Sequence, residues 1–228
     1  MDINAAQVRR VIEVIDHGLS HDLGTPILGQ MCAQAAVCYA LGFPFSDRPT
    51  CVTPLLRTLG ILLNDRSWSS KEARARGLRR FAVAQLGSKG NLKTKEFMAR
   101  LIDHAQNEMV PLARSIMMEP RARGFASSRS LVVLSCIDNL NRAPPFFALC
   151  SVLMANQALA DASISFGLND ENAVWLVRRA SPDNHFSKFA EVVVQILIAM
   201  KAPGTKWLYL TEASDEAPLP QMRVAVPA

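Results

Sequence analysis

The side chains able to do metal or acid–base chemistry are few and scattered. His17 and His21 stand four residues apart, flanked by Asp16 and Asp22. On a continuous helix that spacing would bring both imidazoles to one face, with carboxylates available as further ligands or hydrogen-bonding support. Gly18 falls between them, where the preceding apolar stripe stops, so they read as two solvated histidines at a helix end. Cys32, Cys38 and Cys51 are six and thirteen residues apart. Neither is a zinc-knuckle spacing, and six positions amount to roughly 240° around a helix axis. The five cysteines read as small core hydrophobes. A Cys–His pairing such as Cys51 with His104 has no supporting motif. Gly87-Ser88-Lys89-Gly90 has a phosphate-friendly composition but lacks the P-loop spacing and follows a helix where a P-loop follows a strand. Asp65, beside Asn64 and Trp68, reads as an Asx-type turn next to a tryptophan anchor. No catalytic residue, metal or cofactor is expected.

Charge is the stronger signal. The 228-residue chain carries +5 overall. From Arg66 to Arg100 ten basic residues face only Glu72 and Glu96, a net of +8, which leaves −3 for the rest. Arg76, Arg79 and Arg80 are spaced to cluster on one side of a helix. Arg66, Lys71 and Arg74 precede them and Lys89 and Lys93 follow, so these eight form the expected partner-binding set. Arginine at this density suits phosphate contacts or an acidic protein face. The alternative is a solvated helix face whose arginines pair with Asp47, Asp65 or Glu72. Only Trp68 and Phe81 lie near, too few aromatics for a single-strand stacking platform.

The elements that position these residues follow a helical period. Val8, Val11, Ile12 and Ile15 form an i, i+3, i+4, i+7 stripe with Asp2 as N-cap. Residues 27–41 read as a nearly all-apolar, buried helix. Pro44 and Pro49 mark a loop, and Pro54 opens a helix to Leu63 that Asn64-Asp65 ends. Ser69, Ser70 and Glu72 start a helix to Leu86 with Gly87 as its C-cap. Helices are then expected over 94–118 (bent or split by Pro111), 127–140, 145–164, 169–179 and 184–201. The expected fold is all-α, with eight or nine helices in one globular domain or two helical lobes, 1–118 and 127–204, followed by an irregular tail over 205–228. Half the residues are apolar, enough for a core and too many for a disordered chain. No secretory leader is readable, and Asn156-Gln157 and Gln195 interrupt the longest apolar runs. A cytoplasmic protein with no membrane contact is expected.

The run MCAQAAVCYALGFPFSDRPTCVTPLLRTLGILLNDRSWSSKEARARGLRRFAVAQLGSKG over 31–90, with FAEVVVQILIAMKAPGTKWLYLTE over 189–212, resembles an uncharacterised family encoded by bacteriophages, prophages and plasmids. Members often carry MCVEAAVC where this chain has Gln34, and His-Gly-Asp where it has Phe45-Ser46-Asp47. A function resting on that glutamate and histidine is lost here. The resemblance implies a mobile-element accessory protein in the host bacterium. It points to inhibition of a host defence complex by binding, most specifically an anti-CRISPR protein on Cas effector subunits. A nucleic-acid-binding accessory or regulatory protein, using the Arg74–Arg80 helix on the phosphate backbone, is the alternative. An enzyme with an unrecognised site is the third reading. An exposed apolar helix within 145–165 or 189–200 would mark a protein-binding surface.

Overall fold

A computed structural model describes residues 2–118, 124–138, 140, 143–168 and 182–212. The fold is all-α: α1 (Ala5–Asp16), α2 (Ala33–Ala40), α3 (Pro54–Asn64), α4 (Lys71–Ala84), α5 (Thr94–His104), α6 (Val110–Met118), α7 (Phe125–Ile137), α8 (Pro145–Leu168) and α9 (Pro182–Ala199). A π-helical turn (Ala105–Met109) joins α5 to α6, and a 3₁₀-helix (Pro203–Thr211) follows α9. Among the described residues the strand-like pairing is one isolated antiparallel bridge, Gly24 to Met31. The expected 169–179 helix lies outside the described residues.

Local signals set most boundaries, with three corrections. The cap of α1 is Asn4 rather than Asp2: its side chain accepts from Gln7 N at 3.0 Å while Gln7 returns the bond to Asn4 N at 3.1 Å, a capping box worth about 1 kcal/mol. The buried helix expected from residue 27 begins only at Ala33, because the chain before it turns through left-handed Asp22, Gly24 and Gly29. Cys32 then caps α2, its sulfur accepting from Ala35 N at 3.3 Å. At Pro111 the expected split takes the form of a widened turn between α5 and α6. Proline has no N–H for the Asn107 carbonyl and would press its ring into it. The preceding turn opens to i→i−5 spacing, and Val110 N bonds Ala105 O. Beyond Gly204 the chain continues as the 3₁₀-helix, docked on α4, up to Thr211.

Helix α4 is the centre of the molecule. It packs against α9, the 3₁₀-helix, α1, α2 and α3, burying Leu78, Phe81, Ala82 and Val83 completely. Helices α7 and α8 form a hairpin packed along its length, and α8 also contacts α5 and α9. One continuous cluster of buried apolar side chains runs from Ile3 to Leu208. The Pro145–Ala162 stretch is long and apolar enough to cross a membrane by length and composition, and 56% of it is buried within the fold.

Candidate functional site

The eight cations expected to bind a partner divide into inward and outward groups. Arg74 is buried: its Nε donates to Asn64 O at 2.8 Å and an Nη to Leu19 O at 2.7 Å. Burial holds its guanidinium below the usual range, against the pull of Asp65 and Asp183. Arg79 forks onto Asp16 of α1, at 2.7 and 3.0 Å, and donates to the Thr211 carbonyl of the 3₁₀-helix. Arg80 turns to the other side, meeting Glu191 of α9 at 3.1 Å and Glu212 at 3.2 Å. The three therefore staple α4 to five neighbouring segments, and the acidic partners are Asp16, Glu191 and Glu212 in place of Asp47, Asp65 or Glu72. Arg66 is half-buried, with burial lowering its pKa against Asp161 of α8 and Asp65. Lys71, Arg76, Lys89 and Lys93 remain exposed, Lys71 making only a loose 3.8 Å pair with Glu72.

Arg76 lies in an open cleft of about 470 Å³ between α4 and α9, together with Lys188, Asp183 and Glu191. A residue with no side chain is required in its floor: a Cβ on Gly77 would come within 2.4 Å of the Trp68 ring and 2.7 Å of Ser187 Oγ. Trp68 is the anchor the sequence suggests. It donates to Leu63 O at 2.9 Å and meets the Phe186 ring at 5.3 Å. Asp183, at the start of α9, accepts from Ser69 N at 2.9 Å and from the Ser69 hydroxyl.

The loop between α1 and α2 brings His21, Asp22 and Asp65 together, with ligating atoms within 4.8 Å of one another. His17 does not join them; it caps α1 and donates from Nδ1 to Glu13 O at 2.8 Å. His21 is held at both nitrogens, by the Asp22 carboxylate at 3.0 Å and the Asp65 carbonyl at 3.1 Å. The Asp22 hydrogen bond raises its pKa. Asn64 locks this loop, donating to Ser20 O at 2.9 Å and accepting from Ala33 N at 3.1 Å. Cys32, Cys38 and Cys51 are buried, and desolvation pushes the Cys32 thiol up to about 11, far from an activated thiolate. Gln34, fully buried, donates to Gln85 Oε1 at 2.9 Å. Phe45 packs half-buried against the core.

Large apolar side chains are exposed in the α1–α2 loop, at Leu23, Ile27 and Leu28, and on the α7–α8 hairpin. On the α7–α8 hairpin Leu131 is 52% exposed, Phe146 53%, Phe147 63% and Met154 56%. Phe147, Ser151 and Met154 fall at i, i+4, i+7 on one stripe of α8. Leu131 and Met154 face each other across a groove of about 470 Å³ that also holds Val132, Cys136 and Ala143. Helix α8 is apolar nearly all round, so no single contact could bury every face. The two consecutive phenylalanines after Pro144-Pro145 are the sequence signal for this, since neighbours about 100° apart cannot share one buried side. No protein-family model, curated protein or solved structure matches the chain.

Proposed function

We propose that this protein is a mobile-element accessory factor that acts by binding a subunit of a host defence complex, in its most specific form an anti-CRISPR protein on a Cas effector. The observation that carries the reading is the exposed apolar stripe and groove on the α7–α8 hairpin. Contiguous apolar surface of this kind is costly in water and is the usual mark of a protein-binding site. The inward use of Arg74, Arg79 and Arg80 supports a protein over a phosphate backbone, because the segment's densest charge is already neutralised within the fold. The resemblance of residues 31–90 and 189–212 to a phage and plasmid family supplies the mobile-element context.

The test is a pull-down of the tagged protein from a CRISPR-carrying lysate, with and without nuclease, beside a Phe147→Ser/Met154→Ser double variant. Capture of Cas subunits that resists nuclease and disappears with the double variant is the expected result. Plaque assays on a CRISPR-armed host should show protection from the parent and none from the double variant; absence of protection by the parent sinks the reading. A nucleic-acid-binding role would rest on Arg76, Lys89 and Lys93, which are exposed. It predicts duplex binding that weakens steeply with salt, through counterion release.

A further inference from the structure

A larger cleft, among the described residues, opens on a different side from the hairpin groove. It has a volume of about 760 Å³ and lies between α5, the π-turn and α6 on one side and α8 and α9 on the other. Met109, Leu112, Leu159, Phe189, Val192 and Ile196 supply its apolar walls. The size is that of a small-molecule site, mostly apolar with a few polar groups. The π-turn that Pro111 imposes forms part of the wall, through Glu108 and Met109.

Three polar groups are set among these walls. Asn156 of α8 is only 7% exposed, and what it exposes lines the cleft. Its amide offers a ligand in the cleft both a donor and an acceptor. His104 of α5 and His185 of α9 also line the cleft. Burial holds both below the ordinary histidine value, against Asp103 and Glu108 at His104 and reinforced by Lys188 at His185. Near neutral pH each ring therefore offers one donor and one acceptor without charge.

The charges around the mouth are largely spent on one another. Arg100 pairs with Glu96 at 3.1 Å, Asp103 accepts from Asn107 at 2.8 Å, and Glu191 is shared by Arg80 and Gln195. Glu108 and Lys188 remain, one of each sign. Neither a strong anion nor a strong cation is called for.

We infer that the cleft between α5, the π-turn, α8 and α9 is a binding site for a small uncharged amphipathic molecule, apolar over most of its surface and hydrogen-bonded to Asn156. The site is separate from the hairpin groove, and its fate does not depend on the proposed protein partner.

Nile red, neutral and largely apolar with a carbonyl acceptor, is the probe. Fluorescence titration should saturate at one dye per chain. Ala199→Trp, at an exposed position on the rim, should abolish that signal while circular dichroism and the melting temperature stay unchanged. Asn156→Leu should weaken it about fivefold, the value of one lost hydrogen bond. Phe147→Ser/Met154→Ser should leave it intact. A non-saturating titration, binding unaffected by Ala199→Trp, or binding lost with the hairpin variant would each overturn the assignment. Should Ala199→Trp fail to fold, an Ile196→Trp variant or protection of cleft methyls in a dye-titrated NMR spectrum decides in its place.

Discussion

Helix α4 and the α7–α8 hairpin invert what their compositions suggest. Helix α4 is the most basic segment of the chain, yet Arg74 is buried and Arg79 and Arg80 are engaged by α1, α9 and the 3₁₀-helix. The hairpin is among the most apolar segments, yet it presents Leu131, Phe146, Phe147 and Met154 to water. Composition therefore says what a helix could contact; topology decides which of those contacts the fold itself consumes. What is left over on each helix is the part available to a partner.

The sharpest way to break this contrast is at Arg74. Its guanidinium is the donor for two backbone carbonyls, Asn64 O and Leu19 O, one at the end of α3 and one in the α1–α2 loop. Arg74→Met keeps much of the packing but leaves both acceptors buried and unpaired. A loss of about 2–4 kcal/mol in urea unfolding is expected. A loss below about 1 kcal/mol would mean that the carbonyls reach water and that Arg74 is no more internal than Arg76.

Next in size is Gly204→Ala. A Cβ there would lie 2.3 Å from the Val83 carbonyl oxygen and 2.7 Å from that of Ala84, backbone atoms that cannot rotate aside. The 3₁₀-helix should be pushed off α4, carrying Thr211 and Glu212 away from Arg79 and Arg80. Overpacking of this kind costs about 1–3 kcal/mol, and Trp207 fluorescence should red-shift with it. The variant should also release arginine charge to the surface. Tighter, more salt-sensitive retention on a phosphocellulose column would confirm that the 3₁₀-helix masks it.

The helices themselves were legible because apolar period, caps and prolines act within a few residues. Pro54 and Ser70 both open helices where the sequence places them. Partners of the arginines were not legible, because Asp16, Glu191 and Glu212 come from α1, α9 and the end of the 3₁₀-helix. Spacing of Arg76, Arg79 and Arg80 gives their angles around α4, whereas the group opposite each is a property of the packing. The loop before α2 failed for a related reason. Its apolar letters read as helix, but Gly24 and Gly29 adopt left-handed backbone, and Ser20 N bonds Met31 O at 2.9 Å across the loop. For the cleft behind α9 the sequence offered Pro111, without showing that the strain would appear as a π-turn.

A smaller effect separates the cleft from the rest by pH. His104 and His185 have folded-state values below the ordinary 6.5, chiefly from burial. The unfolded chain therefore takes up protons first as pH falls. Their contribution to stability is present above pH 6.5 and lost progressively below it, towards the lowered folded values. His21 has the opposite sign: raised by Asp22, its contribution is present at low pH and lost as pH rises through the folded value. That ring is 54% exposed and its pairing is screened by water, so the cleft histidines dominate. Melting temperature should fall between pH 7.5 and 5.5, and His104→Gln/His185→Gln should flatten the profile, since glutamine does not titrate. An unchanged slope in the double variant would place the titrating groups elsewhere.

The smallest change in stability belongs to the hairpin, and it is the most informative about function. Phe147 and Met154 lie mostly in water, so replacing both by serine removes little burial. The stability should move by no more than about 0.5 kcal/mol. Solubility at high protein concentration should rise, since the apolar stripe is what promotes self-association. Interaction with the partner should nevertheless be lost, because an apolar anchor that costs nothing to the fold is free to be worth several kcal/mol to a complex, about 2 or more for a hot spot. If instead the double variant unfolds, the two side chains belong to the core, and the contrast with α4 fails at its apolar end.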